Sequence, residues 1–181
     1  MSLLTIPIGR DAPEVVNAII EIPKGSSNKY EYDLKLEAFV LDRVLYSPLY
    51  YPCDYGWVAA TLSEDGDPLD ILVIGSHPTF PGCVLEARPL GSLMMRDEEG
   101  TDYKILAVSS RDPRYREARV LEDLAEHSLK ELVHFFTVYK ELEQKETEVL
   151  GWQDRDTAHR IIQACHDRYR GKLPAVPKEH P

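Results

Sequence analysis

Long apolar runs are missing from this sequence, and none approaches the roughly 18 residues that a membrane helix needs. The first residues lack the basic start of a secretory signal, and Pro7, Gly9 and Asp11 interrupt their short apolar patch. Cysteine is scarce, and the three that occur are too widely separated for a disulfide framework or a CxxC metal site. We therefore expect a cytoplasmic protein with no membrane partner.

Basic residues are also in short supply, because 21 Lys and Arg stand against 31 Asp and Glu and give a formal net charge of −10. This charge repels polyanions, so we expect no nucleic-acid partner. A small anion can still bind where basic side chains, or cations held by acidic groups, reverse the local field. With 181 residues and no repeat, the sequence predicts a single domain over residues 1–181, in which residues 172–181 form a loosely ordered tail.

Short segments rich in β-branched and aromatic residues fill the first two thirds of the chain and predict strands. They are residues 15–22, 70–75, 83–90 and 102–108, and an alternating stretch from residue 29 to 42 that we expect to turn near residues 34–37. Two helices follow, one opening at Asp123 with Glu126 in a capping box and one running from near Asp154 to just before Gly171. This order predicts a β-barrel or strongly bent sheet with helices packed on one side.

The segment DGDPLD places Asp65, Asp67 and Asp70 at the entrance to the apolar run ILVI. An EF-hand is excluded, because Asp70 stands where that loop needs glycine and Ser76 stands where it needs glutamate. A solvated acidic turn is the plain alternative for the segment taken alone. Carboxylates this close repel one another unless a cation compensates them, and hard oxygen ligands suit Mg²⁺, Mn²⁺ or Ca²⁺.

A second acidic segment is DEEGTDYK at residues 97–104. If residues 98–101 form the loop of a hairpin, Asp97 and Asp102 face each other across two strands. Lys104 then shares a face with Asp102 and offers a cation beside the carboxylate pair. An exposed acidic hairpin tip is the plain alternative.

Basic and phenolic side chains form a third set that could bind phosphate, because ammonium, guanidinium and neutral phenol groups all donate hydrogen bonds. Taken alone, a tyrosine on a strand is more typical of the core, and the Tyr139–Lys140 pair is more typical of a helix surface. The set comprises Lys29, Arg43, Tyr51, Tyr55, Lys104, Tyr139 and Lys140. No HExxH zinc motif, Ser-His-Asp order or phosphate-cradling GxxxxGK[ST] loop is present.

Together these segments resemble the family I soluble inorganic pyrophosphatases of the short bacterial or archaeal type. DGDPLD matches the family signature D-x-D-P-x-D, and six further segments occur in the same order along the chain. They are EIP at 21–23, KYE at 29–31, DR at 42–43, YPCDYG at 51–56, DEEGTDYK at 97–104 and HFFTVYK at 134–140.

The resemblance implies a mainly β fold, an OB-like five-stranded β-barrel with flanking C-terminal α-helices, and usually a homohexamer. It implies hydrolysis of inorganic diphosphate to two orthophosphates with Mg²⁺, or with Mn²⁺ or another divalent ion. Asp67 would assist the attack of a metal-activated water as general base, and Glu21 and Tyr51 would support the ligands from outside. The implied metal ligands are Asp65, Asp70, Asp102, Asp97 and Glu31, and the implied substrate ligands are Lys29, Arg43, Tyr55, Lys104, Tyr139 and Lys140.

One position departs from the family pattern, since Asp54 stands where many relatives carry an amide. It either adds charge near the metals or caps a turn. Two other functions remain open on the residues alone. A non-catalytic module could bind divalent ions or phosphate on the same barrel, and an OB-type oligonucleotide binder would suit the fold but conflicts with the net charge.

Overall fold

The computed structural model describes residues 3–97 and 100–172, apart from the side chain of Asp97. Eight strands and two α-helices lie within these residues, together with four short 3₁₀ turns. The strands are β1 (Val16–Ile22), β2 (Asn28–Asp33), β3 (Ala38–Val44), β4 (Asp54–Val58), β5 (Asp70–Ile74), β6 (Val84–Asp97), β7 (Gly100–Ser109) and β8 (Glu148–Gln153). The helices are α1 (Glu126–Val138) and α2 (Arg155–Lys172).

Five of the strands close into a barrel. They pair in the order β1, β4, β5, β7 and β6, and β6 returns to pair with β1. Every pairing in this ring is antiparallel except that between β5 and β7. The five-stranded barrel predicted above is therefore confirmed. β8 pairs with β6 outside the ring, and β2 with β3 forms a separate hairpin.

The barrel closes through a long strand and a close crossing. β6 reaches across three neighbours, because it pairs with β1 near its start, with β8 near its end and with β7 along most of its length. β1 and β4 approach so tightly at Gly56 that a Cβ there would lie 1.9 Å from the carbonyl oxygen of Ile19. Only glycine fits this crossing, which in turn fixes the neighbouring Tyr55.

The core consists of two main clusters that alternate along the central strands. Leu106 and Val108 of β7 pack with Phe136 of α1, whereas Ile105 and Ala107 pack with residues of α2. Because successive strand residues point to opposite faces, the two helices contact opposite faces of β7. They do not lie on one side of the sheet as the sequence suggested.

Several expected boundaries differ from the structure. The turn near residues 34–37 is confirmed, but β4 and β8 lay outside the predicted strands. α1 begins at Glu126, because Asp123 instead accepts hydrogen bonds from the backbone amides of Arg119 and Val120 and closes the 3₁₀ turn before the helix. α2 begins next to Asp154 as expected, and the carboxylate of Asp154 accepts from the amide of Thr157 at 2.8 Å.

The end of α2 also lies later than expected, because the helix continues through residue 172, which the sequence assigned to the tail. The rest of that predicted tail, residues 173–181, lies outside the described residues. Neither helix is long and apolar enough to cross a lipid bilayer.

Candidate active site

One cleft of about 780 Å³ opens between the β2–β3 hairpin, the Asp65–Asp70 loop, the start of β7 and the end of α1. It collects every site residue predicted above whose side chain the structure describes. These are Glu21, Lys29, Glu31, Arg43, Tyr51, Tyr55, Asp65, Asp67, Asp70, Asp102, Lys104, Tyr139 and Lys140.

Lys104 lies at the floor of the cleft and bridges two carboxylates. Its Nζ donates to Oδ2 of Asp70 at 2.5 Å and to Oδ2 of Asp102 at 2.8 Å, and the side chain is almost fully buried. Burial alone would lower the pKa of Lys104, but Asp70, Tyr55 and Asp102 raise it well above its usual value. The ammonium therefore stays charged, and it compensates two acidic groups at once.

Tyr55 completes this cluster from β4. Its hydroxyl donates to Oδ2 of Asp70 at 2.6 Å, and Nζ of Lys104 lies 5.4 Å from the centre of its ring. Burial and the neighbouring Asp70 raise the pKa of Tyr55 well above its usual value. The phenol therefore remains protonated near neutral pH and can act as a hydrogen-bond donor.

The acidic loop before β5 is held by its own backbone. The carboxylate of Asp65 accepts from the amide of Asp67 at 2.9 Å, and the carbonyl of Asp67 accepts from the amide of Ser63 at 2.6 Å. Gly66 permits this tight turn because its φ is +102°, which strains other residues. The side chain of Asp67 is exposed in the cleft on this fixed loop.

Helix α2 braces the same loop from behind. The amide of Leu62 donates to the carbonyl of Cys165 at 3.0 Å, and Nη1 of Arg168 donates to the carbonyl of Leu62 at 2.8 Å. Arg168 also forms an ion pair with Glu64 at 3.3 Å. The last turns of α2 thus fix the position from which the three aspartates enter the cleft.

The basic rim of the cleft comes from the β2–β3 hairpin. Lys29 pairs with Arg43 in the strand register, and both contact Asp42, with Nζ of Lys29 at 3.4 Å and Nη1 of Arg43 at 2.6 Å from its Oδ2. Lys29 also forms an ion pair with Glu31. Although burial would raise the pKa of Asp42, Lys29 and Arg43 lower it, so this carboxylate stays ionised.

Glu21 is a half-buried carboxylate at the back of the cleft. Its Oε1 accepts from the amide of Tyr32 at 3.0 Å, and this hydrogen bond ties β1 to the β2–β3 hairpin. Burial raises the pKa of Glu21 from 4.5 to about 7, partly offset by that hydrogen bond, and Asp70 raises it further. Glu21 therefore carries a proton more readily than an ordinary glutamate.

Aromatic rings form the wall below the rim. Tyr51 lies in an edge-to-face contact with Tyr55 and also meets Phe135 of α1, and burial raises its pKa. Tyr139 stacks on Phe135, and Nζ of Lys140 lies 5.5 Å from the centre of the Tyr139 ring. The end of α1 thereby brings a phenol and an ammonium to the cleft.

The donor chemistry of the cleft fits a divalent cation. Asp65, Asp70 and Asp102 supply hard carboxylate oxygens, which suit Mg²⁺ or Mn²⁺. Among the described residues, no three such ligands stand close enough together to enclose an ion in this arrangement. Two of these carboxylates instead share the ammonium of Lys104, which compensates the negative charge of both.

Two sequence interpretations of the acidic hairpin change. Its register pairs Asp97 with Gly100 and Asp102 with Met95, so the loop has two residues, not four, and the two aspartates are not directly opposite. The side chain of Asp97 lies outside the described part, whereas the predicted contact between Asp102 and Lys104 is confirmed.

Asp54 lies away from the cleft. It is buried and accepts from the backbone amides of Lys24 at 2.7 Å and Thr79 at 3.1 Å. Of the two roles left open for it, the structure favours holding turns together.

Sequence reasoning missed the carboxylates that hold the basic rim, namely Asp42 and Glu143. Asp42 belongs to the DR pair quoted above, so the alternating strand could have suggested it. Glu143 forms an ion pair with Arg43, 100 residues away along the chain, and no local pattern indicates that contact. Lys145 and Glu146, which also line the cleft, were missed as well.

The chain is similar to known proteins in both sequence and fold. The family model described as "Inorganic pyrophosphatase" matches residues 18–170. An inorganic pyrophosphatase from a Nostoc species is 52% identical over 170 residues, which are 94% of this chain and 100% of the relative. One from Halalkalibacterium halodurans is 52% identical over 159 residues, 88% of this chain and 98% of the relative. The crystal structure of inorganic pyrophosphatase from Thermus thermophilus matches with a TM-score of 0.92 and 46% identity, and the match covers 94% of this chain and 100% of that one.

Proposed function

The chain belongs to the inorganic pyrophosphatase family, and we propose from that premise how its own residues carry out the hydrolysis of diphosphate to two orthophosphates. The observation that carries the proposal is convergence: carboxylates from the Asp65–Asp70 loop and β7 meet basic and phenolic groups from β2, β3, β4 and α1 in one cleft. A pocket that contains both carboxylates and basic side chains suits an anionic substrate that arrives with divalent cations.

Asp67 acts as the general base. Its carboxylate is exposed in the cleft on a loop whose backbone is fixed by Asp65 and Ser63, so the loop holds it at a defined position from which it can accept a proton from an attacking water. The brace from α2 supports the same role, because a base that drifts by an ångström loses much of its effect.

The metal-dependent chemistry of the family is assigned here to Mg²⁺, with Mn²⁺ as a substitute. Asp65, Asp70 and Asp102 would hold a first ion, with Asp70 also available to a second; Asp97 and Asp102 would hold one that arrives with the substrate, and Glu31 would assist a further one. When bound, such ions lower the pKa of a coordinated water from about 15.7 towards 7 and neutralise phosphate charge. Glu21 and Tyr51 would support these ligands from outside.

Lys29, Arg43, Tyr55, Lys104, Tyr139 and Lys140 bind the phosphate oxygens. In the structure Tyr55 and Lys104 both donate to Asp70, so the single phenolic proton of Tyr55 must turn away from that carboxylate before it can reach phosphate. Another cation beside Asp70 would compensate its negative charge and so favour release of the Tyr55 hydroxyl from this carboxylate. Substrate binding and cation binding are therefore coupled through Asp70.

Orthophosphate release measured with Mg²⁺ tests this assignment. Asp67→Asn keeps the size of the side chain but removes its basicity, so kcat should fall by about 10²- to 10⁴-fold. Thermal unfolding at the wild-type temperature shows that the variant is folded. Wild-type turnover by a folded Asp67→Asn protein would refute the role given to Asp67.

A non-catalytic module that binds divalent ions or phosphate is the alternative function. Relatives about half identical over nearly the whole chain carry the name of the enzyme, which does not favour this module. In calorimetry and a phosphate assay run together, the module would bind Mg²⁺ or diphosphate and release no orthophosphate.

We further propose that the chain forms a single domain, assembles as a homohexamer and works in the cytoplasm. The three free cysteines support a reducing location, and 12 large hydrophobic side chains that are exposed in the described residues leave surface for subunit contacts. Light scattering should give six times the mass of the 20.6 kDa chain, and a monomer mass would contradict the hexamer.

A further inference from the structure

Arg43 is held by two carboxylates that come from different parts of the chain. Its Nη1 donates to Asp42, its neighbour on β3, and its Nε donates to Oε1 of Glu143 at 3.0 Å. The side chain of Glu143 is 8% exposed, against 23% for that of Arg43. Within the described residues, no acceptor bonds Nη2 of Arg43, so the two carboxylates take one nitrogen each and leave the third for a ligand.

The backbone fixes the position of Glu143. This residue ends the 3₁₀ turn Glu141–Glu143, and its amide donates to the carbonyl of Lys140 at 3.0 Å. Gln144 follows in the left-handed region with φ of 59°, and the amide of Lys145 returns to the same Lys140 carbonyl at 3.4 Å. The carboxylate of Glu143 therefore projects from a tight turn directly after α1.

We propose that Glu143 is a positioning residue that aims the guanidinium of Arg43 at the diphosphate in the cleft. This inference rests on the role of Arg43 as a phosphate ligand given in the proposed function. Glu143 is absent from the described residues that line the cleft, whereas Arg43 lines it, so Glu143 acts through Arg43 and does not touch the substrate.

The effect of Glu143 comes from geometry and not from charge. Its negative charge, taken alone, weakens the attraction between Arg43 and an anion. Its hydrogen bond to Nε instead removes rotational freedom from a long side chain, which would otherwise lose that freedom when the substrate binds. Glu143 therefore helps phosphate binding only if the gain from a more ordered Arg43 side chain exceeds the loss from its negative charge.

The same turn joins two groups of phosphate ligands. Tyr139 and Lys140 directly precede the Glu141–Glu143 turn in the chain, while Arg43 belongs to the β2–β3 hairpin. The pair between Glu143 and Arg43 therefore links the turn after α1 to the β2–β3 hairpin.

Steady-state kinetics on a small set of variants tests the proposal. Glu143→Ala should lower kcat/KM for diphosphate about tenfold, mainly through a higher KM, because it removes a hydrogen bond to a charged group. Glu143→Gln keeps an acceptor oxygen and should restore most of the loss. Glu143→Asp keeps the charge but withdraws the oxygen, and it should behave like Glu143→Ala. Glu141→Ala changes an exposed glutamate of the same turn and is the matched control, with unchanged kinetics.

A double-mutant cycle with Arg43→Ala separates this inference from the function on which it rests. Glu143→Ala should cause no further loss when Arg43 is already removed. Unchanged kinetics in Arg43→Ala would overturn the role of Arg43 itself. Two results would overturn only the positioning role of Glu143. One is a lower kcat/KM in Arg43→Ala together with an unchanged kcat/KM in Glu143→Ala. The other is that Glu143→Ala lowers kcat/KM by the same factor with and without Arg43. Should Glu143→Ala fail to fold, Glu143→Asp takes its place in the cycle with the same outcomes.

Discussion

Replacement of Lys104 by methionine is expected to destabilise the metal-free protein strongly. The variant keeps apolar contact with the rings of Tyr55 and Phe136, which lie 5.4 and 5.5 Å from Nζ, but it removes the charge that compensates Asp70 and Asp102. Loss of one partner from a buried ion pair costs about 3–5 kcal/mol. Because the side chains of Asp70 and Asp102 are still 26% and 28% exposed, we expect the lower end, about 3 kcal/mol. For a chain of this length that lowers Tm by about 6–12 °C.

Calorimetry in the presence of a chelator, followed by calorimetry with Mg²⁺, measures this effect. Mg²⁺ should raise the Tm of Lys104→Met by more than it raises that of the wild type, because a bound cation supplies part of the missing positive charge. Lys130→Met on the exposed face of α1 is the control and should change stability by less than about 0.5 kcal/mol. A Lys104→Met protein as stable as the wild type without metal would refute the reasoning that Lys104 compensates two carboxylates.

Three further predictions concern Tyr55, Glu21 and Arg168. Tyr55→Phe removes only a hydroxyl, and kcat/KM should fall about tenfold or more in a phosphate assay; an unchanged value would exclude Tyr55 as a phosphate ligand. The pKa of Glu21 is about 7 in the folded protein against 4.5 as its ordinary value, so the folded state binds the proton more tightly. Without metal, the free energy of unfolding of the wild type should therefore fall by up to about 3 kcal/mol between pH 4.5 and 7, relative to that of Glu21→Gln. Denaturant titrations at several pH values measure both proteins, and parallel pH profiles would contradict this prediction. Arg168→Ala removes the hydrogen bond to Leu62 and loosens the Asp65–Asp70 loop, so kcat should fall severalfold, as expected for a small misplacement of the base. The control variant Arg170→Ala, near the end of α2, should leave kcat unchanged.

The sequence predicted the residues of the cleft better than the way they are held. Asp65, Asp67 and Asp70 could be recognised because turn chemistry and repulsion between carboxylates act over six residues. The predicted register of the β6–β7 hairpin was wrong, because a two-residue loop and a four-residue loop are both compatible with this sequence. The pair of Glu143 and Arg43 joins segments 100 residues apart, and only the folded chain brings them together.

The helix and strand errors have a similar origin. Asp123 and Glu126 carry the spacing of a capping box, but Asp123 serves the preceding turn, whose Leu121 packs in the core. β8 is short and half exposed, so its pattern is weak, and its pairing with the end of β6 determines its strand conformation.

The central claim is that carboxylates from separate segments hold divalent cations that bring and activate an anionic substrate. Orthophosphate release by Asp70→Asn, compared with the wild type in Mg²⁺ and in chelator, tests it most directly. The account predicts that the chelated wild type is inactive and that Asp70→Asn loses several orders of magnitude in turnover, on the order of 10³-fold or more. Turnover by a folded Asp70→Asn protein at the wild-type rate, or full activity of the wild type in chelator, would contradict the account.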